Sequence, residues 1–324
     1  MVSEDFAKPW VEFEEEFGER PLLHHDTIEA CAEGFGKIFT KMASKYTFPS
    51  PDPAVKTEDR TVDGGLKVRI YTPEGYPGGR PVGVYYHGGG WAMGDLDGDD
   101  AFCRAISKGG NVVLVSVEYG LAPQNKHPGL INDCFKGLQW TLNHAKELGG
   151  IQGRIFTSGV SAGAQLAIAL ALKAVDEGLG ESLVGAVAEV PATIHPEGIP
   201  EELKSKYTSY EEHADHTIDT ARAMRTFWKA FGTPPTDPYG SVLLHDKIKD
   251  LKKVYLTVAG HDTLRDDGLL FKEKLDKYRV PCKFDFYEGY PHYFWTWPSP
   301  MLNKPKEEYN ENLAKGVQWL VSSD

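Results

Sequence analysis

Between about residue 82 and residue 190, this 324-residue chain alternates short apolar runs with longer segments of helical pattern, which narrows its folds more than any other feature. The runs Val82 to Tyr86, Asn111 to Glu118, Arg154 to Thr157 and Leu183 to Val190 have strand length. The intervening segments Asp97 to Lys108, Leu130 to Leu148 and Ala162 to Val175 read as helices. Repeated strand and helix units predict an α/β fold, a mostly parallel sheet with helices on both faces. The rhythm returns with strands Lys253 to Ala259 and Pro281 to Tyr287 and helices Asp267 to Tyr278 and Lys304 to Val321. Ahead of it all, Leu66 to Tyr71 is a further β-like run.

Two stretches break the alternation. Residues 1–50 carry Phe6, Trp10, Phe13 and Phe17, then Ile28, Cys31, Phe35, Ile38, Phe39 and Met42 at helical spacing, which predicts an amphipathic helix from Thr27 to Ser44. The proline-bearing segment Phe48 to Pro53 ends it. Residues 195–240 are polar except for Thr217 to Phe231, where Ile218, Ala221, Met224, Phe227, Trp228 and Phe231 fall on one stripe. We read residues 51–194 and 241–324 as one core domain, and residues 1–50 and 195–240 as a helical cap across its functional edge. His213 and His216 in the insertion have the spacing of a metal pair but no apparent third ligand, and a solvated helix face is the simpler reading. No metal and no cofactor are expected.

Composition excludes several classes of partner. A formal charge of −12 without clustered Lys and Arg argues against nucleic acid. The acidic start Met1-Val2-Ser3-Glu4-Asp5 leads into no apolar segment of signal-peptide length, and no stretch approaches membrane-spanning length. Cys31, Cys103, Cys134 and Cys282 are scattered without metal or disulfide spacing, so free thiols in the cytoplasm are expected. The apolar stripes on the terminal helices are either core or a homodimer face.

The chemistry is concentrated at strand ends. Gly159-Val160-Ser161-Ala162-Gly163 reads G-x-S-x-G between a strand and an alanine-rich helix, a context that exposes a serine on a strained turn. Alone the pattern is weak in a chain with 34 glycines. Serine needs a base, and the base an acid, and in this architecture the order is serine, acid, histidine. Ser161, Asp262 and His292 satisfy that order, each just after a predicted strand. His261 competes as base, and Asp266 and Asp267 compete as acid, although a helix N-terminus also explains those two carboxylates. His87-Gly88-Gly89-Gly90-Trp91 leaves another strand end, where bare backbone suits an oxyanion hole with Gly89, Gly90 and Ala162 as donors. Phe227, Tyr293 and Trp91 are candidate substrate-binding aromatics, with packing behind the loop the simpler role for Trp91.

Together the H-G-G-G-W and G-x-S-A-G motifs, Asp262-Thr263-Leu264-Arg265-Asp266 and the turn Gly289 to His292 resemble the hormone-sensitive-lipase branch of the α/β hydrolases, over about residues 60–320. Within that branch the chain is similar to fungal esterases of secondary metabolism such as the versiconal hemiacetal acetate esterases. The resemblance implies cofactor-independent hydrolysis of small-molecule carboxylic esters under a helical cap, and supports the same triad and oxyanion donors. Two departures stand out: Val160 replaces the usual Asp before the nucleophile, and Tyr119-Gly120-Leu121-Ala122-Pro123-Gln124 replaces the usual Y-R-L-A-P-E. An ester hydrolase acting on small to medium, aromatic acetate-type substrates is the leading expectation. A cyclase, a small-molecule receptor, and an amide, formamide or lactone hydrolase on the same fold are the alternatives. The base must be neutral to act, so the rate is expected to rise through about pH 6 to 7.

Overall fold

A computed structural model describes residues 5–216 and 218–322. Its first two helices, α1 (Lys8–Phe17) and α2 (Ile28–Lys45), precede the sheet. The chain then enters the sheet through an antiparallel hairpin, β1 (Val55–Val62) and β2 (Leu66–Pro73). Five apolar strands follow and form its centre: β3 (Val82–Tyr86), β4 (Leu114–Glu118), β5 (Ile155–Val160), β6 (Leu183–Glu189) and β7 (Val254–Ala259). They are buried at almost every residue, as strands covered on both faces must be. With β8 (Cys282–Tyr287) the order is β1-β2-β4-β3-β5-β6-β7-β8, parallel from β4 onward.

The connecting helices are α3 (Asp100–Gly110), α4 (Gly129–His144) and α5 (Ala162–Asp176), with the short α6 (Ser209–Glu212), α7 (Ala221–Phe231), α8 (Arg265–Tyr278) and α9 (Asn303–Val321) completing the chain. Helix α7 starts later than the apolar stripe suggested, because Thr220 accepts from the Ala223 N–H and caps it. Thr217, the expected start, lies outside the described residues, as do Met1 to Glu4 of the acidic N-terminus. Among the described residues, no helix is long and apolar enough to cross a membrane. All four cysteines are free.

The N-terminal segment and the insertion meet. Thr220 donates its hydroxyl to the Leu23 carbonyl, Thr226 donates to the His25 carbonyl at 2.9 Å, and Arg222 pairs with Asp26. The stripe on α2 is only partly used. Cys31 and Met42 are buried and Ile28 and Ile38 pack on the core, but Phe35 is 40 % and Phe39 48 % exposed, so two of the six apolar residues that should lie on something apolar face outward. Helix α1 uses its aromatic residues fully: Trp10, Phe13 and Phe17 surround Trp297, beyond the end of β8. Just ahead of it, the Ala7 N–H donates to the Gly289 carbonyl at 2.8 Å.

Candidate active site

The turn that carries Ser161 is built by close approach. A Cβ on Gly159 would overlap the Gly163 carbonyl, and one on Gly163 would overlap the Tyr86 carbonyl, so only glycines let β5, β3 and α5 converge here. Ser161 between them has φ 56 and ψ −122, a strained conformation for a residue with a side chain. Its N–H donates to the Glu189 carbonyl at 2.8 Å, which fixes the turn to β6. Glu189 is itself fully buried and bonded by the Tyr309 hydroxyl, and burial pushes its carboxyl up to about 8.

Two loops from neighbouring strand ends complete a hydrogen-bonded chain. His292 Nε2 lies 3.0 Å from Ser161 Oγ, and His292 Nδ1 lies 2.6 Å from Asp262 Oδ2. The other Asp262 oxygen accepts from the Leu264 N–H at 2.8 Å, so the carboxylate is held at both ends. All three side chains are buried, Ser161 being 6 % exposed, and this excludes water from the proton path. The arrangement can move a proton from serine to histidine while the carboxylate stabilises the resulting imidazolium.

The rivals serve other tasks. Asp266 accepts from the N–H groups of Thr208 and Ser209 at 2.6 and 2.8 Å and pairs with Arg265. Burial pushes its carboxyl up, but Arg265 and those donors outweigh burial and hold it below the usual range. Asp267 accepts from the N–H groups of Thr193 and Ile194 and from the Tyr207 hydroxyl, and burial pushes it up to about 8. Both carboxylates tie the insertion to α8. His261 stacks among Phe6, His213 and His216, away from the serine. His213 and His216 are therefore not on a solvated helix face: His213 is buried, its Nδ1 lies 2.9 Å from His216 Nδ1, and its Nε2 faces Arg265 at 2.8 Å. Burial first, then Arg265 beside His213 and Arg20 near His216, holds each imidazole down at about 4.

The glycine loop turns the Gly89 carbonyl back on itself. The N–H groups of Ala92 and Met93 donate to the Gly89 carbonyl at 3.2 and 2.9 Å, and Gly89 has φ 107. Gly88 donates its N–H to Asp99, which also accepts from the Tyr85 hydroxyl, both at 2.9 Å. His87 stacks on Tyr119 at 4.2 Å, and the Tyr119 hydroxyl donates to the His87 carbonyl at 2.7 Å, so the ring anchors the loop. Gly120, one of the departures, faces Asn125, whose amide donates to Asp133 at 2.7 Å; a side chain at 120 would collide with that pair. Val160, the other departure, is a buried side chain beside Gly88.

Of the three aromatics, Phe227 lies against Gly90 and covers the loop from the insertion. Tyr293 brings its hydroxyl to the Ser161 side chain beneath Gly88. Trp91 takes the simpler of its two roles and packs, rather than lining a pocket: it is fully buried, stacked on Phe231 at 4.7 Å and tilted against Trp228 at 4.4 Å, with its indole N–H donated to Gln165. A surface groove of about 680 Å³ lined by Glu33, Gly36, Lys37 and Thr40 of α2 contains none of these residues.

A family model for the alpha/beta hydrolase fold matches residues 83–296. The chain belongs to this family. Versiconal hemiacetal acetate esterase of Aspergillus parasiticus is 40 % identical to this α/β hydrolase over 315 residues, covering 97 % of the chain and 98 % of the relative. The FAD-linked oxidoreductase pytB of Aspergillus terreus is 46 % identical over 280 residues, 86 % of the chain, but the chain spans only 34 % of that protein's length. Among solved structures, an esterase of Pyrobaculum calidifontis superposes with a TM-score of 0.78 at 27 % identity, covering 98 % of the chain and 100 % of that one.

Sequence reasoning missed three polar residues at this α/β-hydrolase site. Asp99 and Gln165 hold the glycine loop and Trp91, and neither carries a motif. Asp219, in the insertion just before α7, places Oδ2 3.5 Å from His292 Nδ1. Among the described residues, Asp219, Asp262 and His292 are the one group that gathers three ligand-type atoms within 4.8 Å.

Proposed function

We propose that this carboxylic ester hydrolase cleaves small to medium esters, acetates of aromatic alcohols among them, through an acyl-enzyme on Ser161. The observation that carries the reading is the unbroken path from Ser161 Oγ through His292 to Asp262, at 3.0 and 2.6 Å. His292 Nε2 takes the hydroxyl proton as Oγ adds to the ester carbonyl carbon, and Asp262 stabilises the imidazolium. The N–H groups of Gly89, Gly90 and Ala162 hold the oxyanion. Collapse expels the alcohol, which receives its proton from His292, and water attacks the acyl-enzyme by the same route to release the acid. Segments 1–50 and 195–240 act as the cap, with Phe227 and Tyr293 as the aromatic surfaces nearest the reacting atoms. The acetate and aromatic preference is supported by the name of the Aspergillus parasiticus relative and by those two rings.

Hydrolysis of p-nitrophenyl esters from acetate to dodecanoate, with Ser161→Ala beside the parent, tests this. Turnover peaking at short acyl chains and lost in the variant is expected; parental rates in Ser161→Ala would remove the acyl-enzyme mechanism. A receptor has no use for a base 3.0 Å from the serine, and labelling by a fluorophosphonate separates the two readings. The formal charge of −12 supports a site without nucleic acid, and the four free cysteines support a cytoplasmic setting. Exposed Phe35 and Phe39 support a homodimer through α2, which sedimentation equilibrium tests.

A further inference from the structure

The base histidine faces two carboxylates, one from the core and one from the insertion. Asp262 meets His292 Nδ1 at 2.6 Å, a hydrogen bond that fixes the ring. Asp219 meets the same nitrogen at 3.5 Å, too far to orient it but close enough to act on its charge. Asp219 is 6 % exposed, so its field at that nitrogen is little screened by solvent. Its position is set by the insertion's own joints: Thr220, the next residue, caps α7 and bonds the Leu23 carbonyl, and the Ala221 N–H donates to the Ala214 carbonyl at 2.9 Å.

We propose that Asp219 is a positioning residue that brings a second carboxylate to the base from the cap, so that the basicity of His292 depends on the cap being seated. The inference rests on the esterase reading for its catalytic consequence. In the resting state the imidazole is neutral, and Asp219 contributes little to its orientation. When the ring takes the serine proton, a positive charge forms beside both carboxylates, and Asp219 stabilises that state selectively. A cap that swings away removes one of the two, and the base weakens while the site is open. Other ionisable groups around this pair are Tyr210 of α6 and Tyr293 beside His292, both raised mainly by burial, and His213 and Arg265 beyond Asp262. Buried tyrosines and a low-titrating histidine stay neutral across the working range, and Arg265 is occupied by Asp266 and Glu212. Asp262 and Asp219 are the carboxyl groups that reach His292 Nδ1, at 2.6 and 3.5 Å, while the Asp99 and Glu189 carboxyls act on the neighbouring Tyr293.

The sign follows directly. Removing a negative charge disfavours the imidazolium, so the titration of His292 moves down and its power as a base falls. Asp219→Asn and Asp219→Ser both delete the charge, and either suffices if the other fails to fold. The acid limb of kcat/KM for p-nitrophenyl acetate is expected to move down by about one pH unit. On the alkaline plateau kcat is expected to fall about ten-fold with KM within about two-fold of the parent. Asp219→Glu, which keeps the charge, restores the limb. Proton NMR of the Nδ1–H of His292 in the resting protein reads the same titration without turnover, so a failure of the esterase reading leaves this test standing. A charge-deleted variant that folds and titrates where the parent does overturns the proposal.

Discussion

A single methyl group tests the glycine loop at the residue scale. Gly89 has φ 107, and a Cβ there would overlap the Met93 carbonyl, so Gly89→Ala must rotate the peptide that is read as an oxyanion donor. We expect kcat for p-nitrophenyl acetate to fall about 10²- to 10³-fold, the cost of misplacing one such donor, with the fold retained by circular dichroism. An unchanged kcat would move the oxyanion site away from this loop. Ser161, Asp262 and His292 were legible because each stands at a strand end in a required order, and strand ends can be read from apolar runs. Asp219 was not: Ile218-Asp219-Thr220 carries no motif, and its meaning depends on a segment folding back over a histidine 73 positions later. His213, His216 and His261 failed for a related reason, since a three-residue spacing cannot show that a third ring arrives from another loop.

At the scale of elements, α8 does two jobs from its first turn. Its acids were explained by the helix dipole, and the structure adds specific partners for both. Asp267→Ala leaves the N–H groups of Thr193 and Ile194 and the Tyr207 hydroxyl without their acceptor, which we expect to cost roughly 3 kcal/mol in chemical denaturation. The folded fraction should keep kcat within about two-fold, whereas the folded fraction of Asp262→Ala loses about 10⁴-fold. The reverse pattern would exchange the two acids. Elements with a strong period were legible: β3 to β7, α3 to α5 and α7 to α9 fall within a few residues of their expected places, whereas the single-turn α6 had no expected counterpart. Strand β1 was not, because Val55–Val62 is a polar edge strand with one buried residue, so its composition hides it. Helix α1 left a signal, Trp10, Phe13 and Phe17 at helical spacing, in a stretch too short to separate from a loop.

Across the whole molecule, burial holds several carboxyl groups above their ordinary range, and this gives stability a pH dependence. Burial raises the Glu189 carboxyl from 4.5 to about 8. Its contribution is therefore fully present below the unfolded value near 4.5 and is lost as pH rises through about 8. We expect the melting temperature to decline between pH 5 and pH 9, and Glu189→Gln, which keeps the Tyr309 contact without a charge to bury, to flatten that decline. Parallel melting curves for the two proteins would show that Glu189 is not ionising in this window. The sheet and its order of helices were readable from periodicity, but the seating of the cap was not, since Thr220 and Leu23 meet across 197 positions.

One contact bears on how the protein is handled at the bench. The Ala7 N–H donates to the carbonyl of Gly289, three residues before His292, and Phe6 packs on His216 and His261. Changes to the chain ahead of Phe6, an affinity tag among them, bear on a backbone bond that ties down the loop carrying His292.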